Sequence, residues 1–461
     1  MLSGLKKHLI ISLIVRLILI IYGEIQDKIS EVPYTDVDYR VVTDGSMQIA
    51  QGHSPFNRHT YRYTPLLAIF LLPNIYLHPC FGKILFAIFD LAIALIIRKI
   101  IIEEYYSLLL NQSTSIEDNK VKFEKKFNGN GNKNKFRLFG SKKDMKLIGT
   151  SDRMKFERMA NFAAYVWLYN PLTMIIATRG NGDAITSALV LLSIFYLLKI
   201  QDNASEKDNE RNVIKSGIFH GLAIHLRLYP IFFSLAYYMY LSDNKYQINS
   251  IQSLLNCFLK PNRKQIFLIL TVLKVLIFLT GVFYLLYDYK YLYESIIYHF
   301  VRKDTRHNFS LYFYLQYLNS GGKVNILEKL LTFMPQIVLI ILISFHFSRT
   351  RQTIQFGVFL IAFIMVTYNP VITSQYFVWF LSLFPLTVNN FRSLSFKQII
   401  MLITLWFAGQ GMWLFCAYFL EFKGINSFDF IWLASTFFFI INIVILQMLI
   451  ENYDDSSIKL K

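Results

Sequence analysis

The sequence contains little cysteine and comparatively few acidic residues. Its three cysteines, Cys80, Cys257 and Cys416, are scattered through apolar segments, which excludes a disulfide framework and a thiolate metal site. Asp and Glu number 30 against 47 Lys and Arg, giving a formal net charge of +17. In a polytopic membrane protein such an excess collects in cytoplasmic loops and sets the orientation. We therefore expect membrane lipids as the surroundings and no nucleic-acid partner.

Hydrophobic residues make up 54% of the 461 residues and aromatic residues 16%, more than a soluble globular chain carries. A transmembrane helix needs roughly 20 apolar residues. The pattern predicts an all-α polytopic membrane protein, with residues 1–461 forming one membrane-embedded domain. Twelve membrane segments are expected, at 2–22, 83–102, 161–178, 184–200, 213–227, 230–241, 265–287, 327–345, 353–369, 376–390, 399–419 and 429–449.

Two regions do not fit ordinary spans. Residues 65–77 are apolar but only thirteen long and bracketed by prolines, so they predict an interfacial helix. The pair of segments between 213 and 241 is too short for two full crossings. Partial helices lining a polar cavity are a better interpretation, because incomplete helices are tolerated where protein surrounds them.

A basic loop at residues 103–160 orients the chain. Its middle, residues 128–134, alternates asparagine with glycine and lysine and is expected to be disordered. The positive-inside rule places this insert and both termini in the cytoplasm. The opposite face then gathers nearly every unusual polar motif, in the first loop 23–82 and in 179–183, 228–229, 288–326, 370–375 and 420–428.

The first loop contains an Asp-x-Asp pair, Asp36 and Asp38, beside the membrane. If the loop is extended, residues i and i+2 point to the same side, so both carboxylates could face one cavity. Their mutual repulsion would raise one pKa and favour a base near neutrality. The alternative is that the pair solvates a turn or caps a helix. Manganese or magnesium is compatible with two carboxylates, but no further hard-ligand cluster is evident in the sequence, so a metal is left unassigned.

Blocks along the chain carry a resemblance to a known family. They are Arg16-Leu17, Tyr22-Gly23, Gln26-Asp27, Tyr34 to Tyr39, Gly52 to Pro55, Thr60 to Ala68, Thr178 to Asn181, His225 to Pro230, Arg306 to Ser310, Tyr312 to Tyr314 and Thr373 to Phe377. In this order they resemble the GPI mannosyltransferase 1 family of type C glycosyltransferases. One departure is Asn369-Pro370-Val371, where the family has a lysine at the middle position.

The resemblance implies a multi-pass enzyme of the endoplasmic reticulum with a lumenal active site. Such enzymes transfer the first α1,4-linked mannose from dolichol-phosphate-mannose to glucosaminyl-phosphatidylinositol, with inversion, and associate with a small membrane-bound stabilising subunit. A sugar hydroxyl needs a base when it attacks an anomeric carbon. We assign Asp36 as that base, with Asp38 orienting the acceptor or a cation.

A lipid-phosphate leaving group requires cationic hydrogen-bond donors on the same face. The candidates are Arg306, His307, Arg227, His225 and Arg179. Contact with lipid headgroups, or for His225 a satisfied position in a helix, is the ordinary alternative. Asn308 also begins a glycosylation sequon, which we expect to be unused so close to the membrane.

Substrate-pocket candidates follow from the same blocks: Tyr39, Arg62, Tyr63, Gln375 and Tyr376. For the residues around Tyr63, an aromatic belt at headgroup depth is the competing interpretation. For Gln375, it is simple capping and packing of a helix start.

Two further expectations rest on the membrane segments. Arg16 and Asp90 lie at similar depth in the first two spans, so we predict a buried salt bridge that clamps these helices. A lipid transporter or scramblase is the alternative function. It would require internal repeats and a continuous path of intramembrane charge, and the sequence displays neither clearly.

Overall fold

A computed structural model describes residues 2–127, 150–201, 204–243, 258–302, 304, 308–319, 326–391 and 393–454. Throughout these ranges the regular structure is helical, without a β-strand. The predicted all-α class is therefore confirmed.

Eighteen α-helices are present in the described ranges. They are α1 Leu2–Ile29, α2 Val37–Ala50, α3 Pro65–Phe70, α4 Pro73–Tyr76, α5 Phe81–Phe127, α6 Thr150–Leu168, α7 Pro171–Thr178, α8 Asp183–Leu198, α9 Glu206–Leu226, α10 Ser234–Tyr240, α11 Arg263–Leu292, α12 Tyr298–Val301, α13 Phe313–Leu318, α14 Ile326–Phe347, α15 Arg351–Thr367, α16 Phe377–Leu381, α17 Phe396–Lys423 and α18 Phe428–Glu451. A π-helix, Tyr293–Ile297, joins α11 to α12. Short 3₁₀ turns lie at Pro55–Asn57, Tyr229–Phe233, Ser374–Tyr376, Phe384–Leu386 and Val388–Asn390.

Among the described residues, four helices are long and apolar enough to cross a membrane. They comprise Gly4–Ile29, Arg263–Phe300, Phe396–Lys423 and Phe428–Glu451. Shorter apolar helices occur at Pro65–Tyr76, Asp183–Leu198, Thr332–Phe347 and Arg351–Thr367. The chain is thus a membrane protein with several spanning helices, while the count of twelve stays a prediction.

Besides 230–241, which combines the 3₁₀ turn Tyr229–Phe233 with α10, two predicted spans are not single helices. The segment 161–178 divides between α6 and α7, because Pro171 begins α7 and Asn170 caps it by accepting the amides of Leu172 and Thr173. The segment 376–390 consists of α16 and short 3₁₀ turns. The sequence prediction of a single helix is therefore wrong for both segments. In 161–178 a proline explains the break.

The basic insert begins inside a helix. The predicted second span, 83–102, continues without interruption as α5 to Phe127, and α6 begins at Thr150 within the same insert. The predicted disordered middle, residues 128–134, lies outside the described residues. The predicted insert boundary at residue 103 therefore does not coincide with a helix end.

Helices α8, α9 and α11 form one layer of the bundle. A Cβ atom on Gly217 of α9 would lie 2.9 Å from Cβ of Thr271, and one on Gly221 would lie 2.9 Å from Cβ of Val275. These two glycines therefore allow α11 to approach α9 closely, the packing that small residues permit between membrane helices.

The predicted Arg16–Asp90 salt bridge is confirmed. Arg16 is fully buried and donates its Nε to Asp90 Oδ2 at 3.1 Å, and Asp90 is 1% exposed. Arg16 also bonds to Ser12 Oγ and, at 3.2 Å, to the carbonyl of Leu168. Trp167 donates to the carbonyl of Asp90 at 2.9 Å. The pair therefore joins α1, α5 and α6 within the bundle.

Candidate active site

Asp36 is the N-cap of α2. Its backbone is extended, with φ −62° and ψ 139°, and its carboxylate accepts the amide of Asp38 at 3.2 Å. Asp38 lies in the first turn of the helix. The expected extended loop is therefore wrong at Asp38, and the capping role weighed as an alternative holds for Asp36. Carboxylates in the first turn suit the positive end of the helix dipole.

Arg179 holds the approach to this helix. Its Nε donates to the carbonyl of Tyr34 at 2.8 Å, and its own carbonyl accepts the amide of Asp36 at 2.9 Å. The hydroxyl of Tyr34 bonds to Thr178 Oγ1 at 2.7 Å. The structure thus places Arg179 against the backbone of the Asp-x-Asp loop, where it fixes the position of Asp36. Its role toward a phosphate stays a prediction.

Gly180 requires the conformation that only glycine adopts easily. Its φ is +97°, and a Cβ there would lie 2.4 Å from the ring of Tyr39. Tyr39 itself is buried, donates to the carbonyl of Pro79 at 2.6 Å and accepts from Asn74 at 2.9 Å. The predicted pocket residue Tyr39 therefore anchors the first turn of α2 to Pro79 and Asn74.

Lys83 secures the same loop from the side of α5. It is 1% exposed, and its Nζ donates to Glu24 Oε1 and Thr35 Oγ1, each at 2.7 Å. Asp27 accepts the amides of Tyr34 and Thr35. Sequence reasoning missed Lys83, although a lysine near the start of an apolar helix is costly unless it is paired.

Asp38 meets residues from distant parts of the chain. Gln375 donates its Nε2 to Asp38 Oδ2 at 3.0 Å, and Tyr63 borders a small pocket together with Asp38. Burial, followed by the charge of Asp38, raises the pKa of Tyr63 well above its usual value, so Tyr63 stays a neutral phenol. Asp38 therefore lies beside two residues predicted from separate motifs.

Arg227 completes the charged cluster. It terminates α9 in an extended conformation and donates its Nε to Asp183 Oδ1 at 2.7 Å. Its guanidinium lies over the ring of Tyr63, 5.1 Å from the centroid. Asp183, which is 1% exposed at the start of α8, was missed by sequence reasoning because a single acidic residue at a helix start resembles an ordinary cap.

His225 occupies a satisfied position in a helix, the ordinary alternative to phosphate binding. Its Nε2 bonds to Thr64 Oγ1 at 2.9 Å, and its ring stacks on Phe283 with centroids 5.6 Å apart. It nevertheless lies in the wall of a cavity. Its side chain therefore both packs the helices and borders the candidate site.

A cavity of about 450 Å³ opens beside this cluster. Its wall combines polar, cationic and apolar side chains. The polar and cationic lining includes Arg62, Tyr63, His225, Arg227, His299, Arg302 and Tyr376, and the apolar lining includes Ile231, Phe232, Leu276, Phe300, Leu315 and Phe333. Residues between 213 and 241 do line this cavity, but α9 is a continuous helix of 21 residues rather than a partial one, and the cavity is only partly polar. A cavity of this composition suits an anionic group joined to a hydrocarbon chain.

The arginines of the cavity are tied to carboxylates. Arg62 pairs with Glu294 and lies over the ring of Tyr298 at 4.1 Å, and Arg302 pairs with Asp304 at 2.8 Å. These contacts fix the position of the cations within the cavity wall.

The remaining predicted cations, Arg306 and His307, lie outside the described residues. Next to them, Asn308 is fully buried, accepts the amides of Ser310 and Ile372 and donates to the carbonyl of Pro370 at 2.9 Å. The sequon is therefore inaccessible in the folded protein. It instead anchors residues 369–372, the segment in which a lysine was expected.

The two carboxylates of the motif differ in environment. Burial, followed by the negative charge of Asp38, raises the pKa of Asp36 above its ordinary value. The described residues contain no group of three or more His, Cys, Asp or Glu side chains that could hold a metal ion. The carboxylates can accept a proton, and the arginines of the cavity wall can stabilise an anion a short distance away.

Comparison of the sequence with known proteins identifies a family. The family described as Mannosyltransferase (PIG-M) matches residues 176–450. GPI mannosyltransferase 1 of Dictyostelium discoideum is 34% identical over 97% of this chain and 92% of its own length. GPI alpha-1,4-mannosyltransferase I, catalytic subunit, of Danio rerio is 33% identical over 95% of each chain. GPI mannosyltransferase 1 of Saccharomyces cerevisiae is 31% identical over 96% of this chain and 94% of its own length. The chain therefore belongs to the PIG-M mannosyltransferase family.

Proposed function

We propose that this enzyme transfers the first α1,4-linked mannose of a GPI anchor from dolichol-phosphate-mannose to glucosaminyl-phosphatidylinositol. The names of its relatives support the reaction. The observation that carries the proposal onto this chain is the position of Asp38, which borders one small pocket with Tyr63 and Arg227, two residues that also line the cationic cavity.

Asp38 is the better candidate for the base that removes the acceptor hydroxyl proton. Its carboxylate accepts a hydrogen bond from Gln375 and lies beside Tyr63, whereas the carboxylate of Asp36 caps α2. This reverses the roles assigned from the sequence. Asp36 then positions Asp38 through the helix start and maintains a negative charge beside it. Attack from the side opposite the leaving phosphate inverts the anomeric carbon.

Arg227 stabilises the departing lipid phosphate in this proposal. Asp183 and Tyr63 hold its guanidinium at the cavity, so its planar fork is already oriented before the substrate arrives. Arg302, together with Arg306 and His307 from the sequence prediction, would supply further donors. The apolar part of the cavity would receive the first isoprene units of the dolichol chain.

The enzyme would work in the endoplasmic reticulum membrane, with a lumenal site and cytoplasmic termini. The charge distribution of the loops supports this orientation. A small membrane-bound partner is also part of the proposal, since the name of the Danio rerio relative specifies a catalytic subunit.

An assay of microsomes containing the full chain tests the proposal. Labelled dolichol-phosphate-mannose and glucosaminyl-phosphatidylinositol should give a mannosylated product, and a parallel reaction with chelator tests for a divalent cation. Well-folded protein that gives no product with this acceptor would refute the specific reaction.

A further inference from the structure

Helix α11 carries a lysine in the middle of its apolar stretch. Lys274 is the only charged residue between Lys264 and Asp288. It lies ten residues from one and fourteen from the other, or about 15 Å and 21 Å at 1.5 Å per residue. The side chain is therefore near the centre of the hydrocarbon layer, beyond easy reach of either headgroup region.

The side chain of Lys274 is exposed on the outside of the bundle. In the part of the chain that the structure describes, no carboxylate lies within ion-pair distance of Lys274. Arg16, also within a long apolar helix, is fully buried and paired with Asp90. Because an ammonium group facing lipid at this depth costs several kcal/mol, an intramembrane partner is expected.

The surroundings of Lys274 suit a second helix. Leu270, Lys274, Ile277 and Gly281 follow one another at helical spacing on one side of α11, which we name the Lys274 face. Leu270 and Ile277 are 47% and 69% exposed, and a Cβ on Gly281 would meet no atom within 4 Å. Unlike Gly217 and Gly221 of α9, Gly281 has no neighbour in the described structure that explains its small size.

Two other parts of α11 contact the rest of the protein. Thr271 and Val275 pack against α9, and Leu276 and Thr280 line the cavity. The Lys274 face is not part of either contact.

We propose that the Lys274 face binds a transmembrane helix of another protein, one that carries a carboxylate at mid-membrane depth. The charge of Lys274 selects the carboxylate, and Gly281 permits close approach of the two backbones. A second copy of this chain does not supply the complement. The acidic residues of its four long apolar helices, among the described residues, lie toward the ends of the apolar stretches, at Glu24, Asp27, Asp288, Glu294, Glu421, Asp429 and Glu451.

The test uses the full chain in phosphatidylcholine vesicles, with a designed leucine and alanine transmembrane helix of about 20 residues. One peptide has a single central aspartate and its counterpart has leucine. Energy transfer between a label on the peptide and one on the protein measures association. The wild type should prefer the aspartate peptide by about tenfold, the scale of an interhelical polar contact. Lys274→Leu should remove this preference.

Two further variants make the result specific. Lys290→Leu removes an exposed lysine of the same helix outside the mid-membrane region and should keep the preference. Gly281→Leu retains the charge and should weaken association by blocking close approach. Equal binding of both peptides to the wild type, or an unchanged preference in Lys274→Leu, would overturn the proposal. Energy transfer between labelled copies of the chain that depends on Lys274 would also overturn it, by identifying a second copy as the occupant. Mannosyl transfer measured in parallel tests the proposed function separately.

Discussion

Charged side chains of the bundle form two groups that differ in what completes them. In the first group, Arg16 with Asp90 and Lys83 with Glu24 are closed within the chain, and the side chains of Arg16, Asp90 and Lys83 are almost fully buried. In the second, Asp38 and Arg227 contact residues that also line a cavity. Both groups consist of acidic and basic side chains. The difference teaches that access to a cavity, rather than the presence of an ion pair, distinguishes the candidate site from the scaffold.

Removing Asp38 should have the largest effect on activity. We expect Asp38→Ala to lower kcat by about 10²–10⁴, the usual contribution of a general base, while the protein accumulates normally. Microsomal mannosyl transfer together with an immunoblot measures both. The matched control is Asp44→Ala, which removes a half-exposed carboxylate of the same helix that pairs with Arg58. Similar activity of the Asp38 and Asp44 variants would contradict the assignment.

Substitution in the closed group should reduce the stability and accumulation of the protein, unlike substitution of Asp38. Arg16→Leu leaves Asp90 buried without its partner, and loss of one member of a buried pair costs about 3–5 kcal/mol. The expected result is poor accumulation and a lower melting temperature in detergent. The double variant Arg16→Leu with Asp90→Leu should recover much of this loss, since both charges are then absent. A double variant as unstable as the single one would show that the pair does more than clamp the helices.

The sequence predicted the all-α class and the Arg16–Asp90 clamp because both follow from one-dimensional patterns, apolar length and depth along a helix. It also selected Asp38, Tyr63, Arg227 and Gln375, which the structure brings together, although their contacts are tertiary. Family resemblance supplied that selection. With the chain now placed in a mannosyltransferase family, the transporter alternative is set aside.

The missed residues have a different physical cause. Asp183 orients Arg227, and Lys83 holds Thr35, but each belongs to a helix whose sequence offers an ordinary explanation for it. Breaks inside predicted spans, as at Pro171, were missed because a hydropathy window averages over a single proline. Only the folded arrangement reveals that Lys83, near the start of α5, reaches the same loop as Glu24 of α1.

Arg227→Lys should have an intermediate effect. Lysine keeps the charge but loses the planar fork that Asp183 and Tyr63 hold. We expect about a tenfold loss in kcat/KM for the lipid-phosphate donor, with little change in accumulation. Arg40→Lys is the control, because the side chain of Arg40 is 54% exposed and pairs with Asp27 only loosely, at 3.7 Å. Equal losses in both variants would mean that the orientation of Arg227 is unimportant.

The smallest expected effect concerns pH. The raised pKa of Asp36 means that its carboxylate becomes protonated at a higher pH than an ordinary aspartate as the solution is acidified. If transfer requires the ionised pair, activity falls as pH decreases through this pKa. Asparagine is also a good N-cap, so Asp36→Asn keeps the helix start and removes the titrating group. Residual activity in this variant should therefore persist to lower pH than in the wild type.

Asp36→Ala, which loses the cap as well, should show the same displacement of the pH profile with lower stability. An acid limb that stays in place in Asp36→Asn would assign the titration to another group and leave Asp36 with the cap alone.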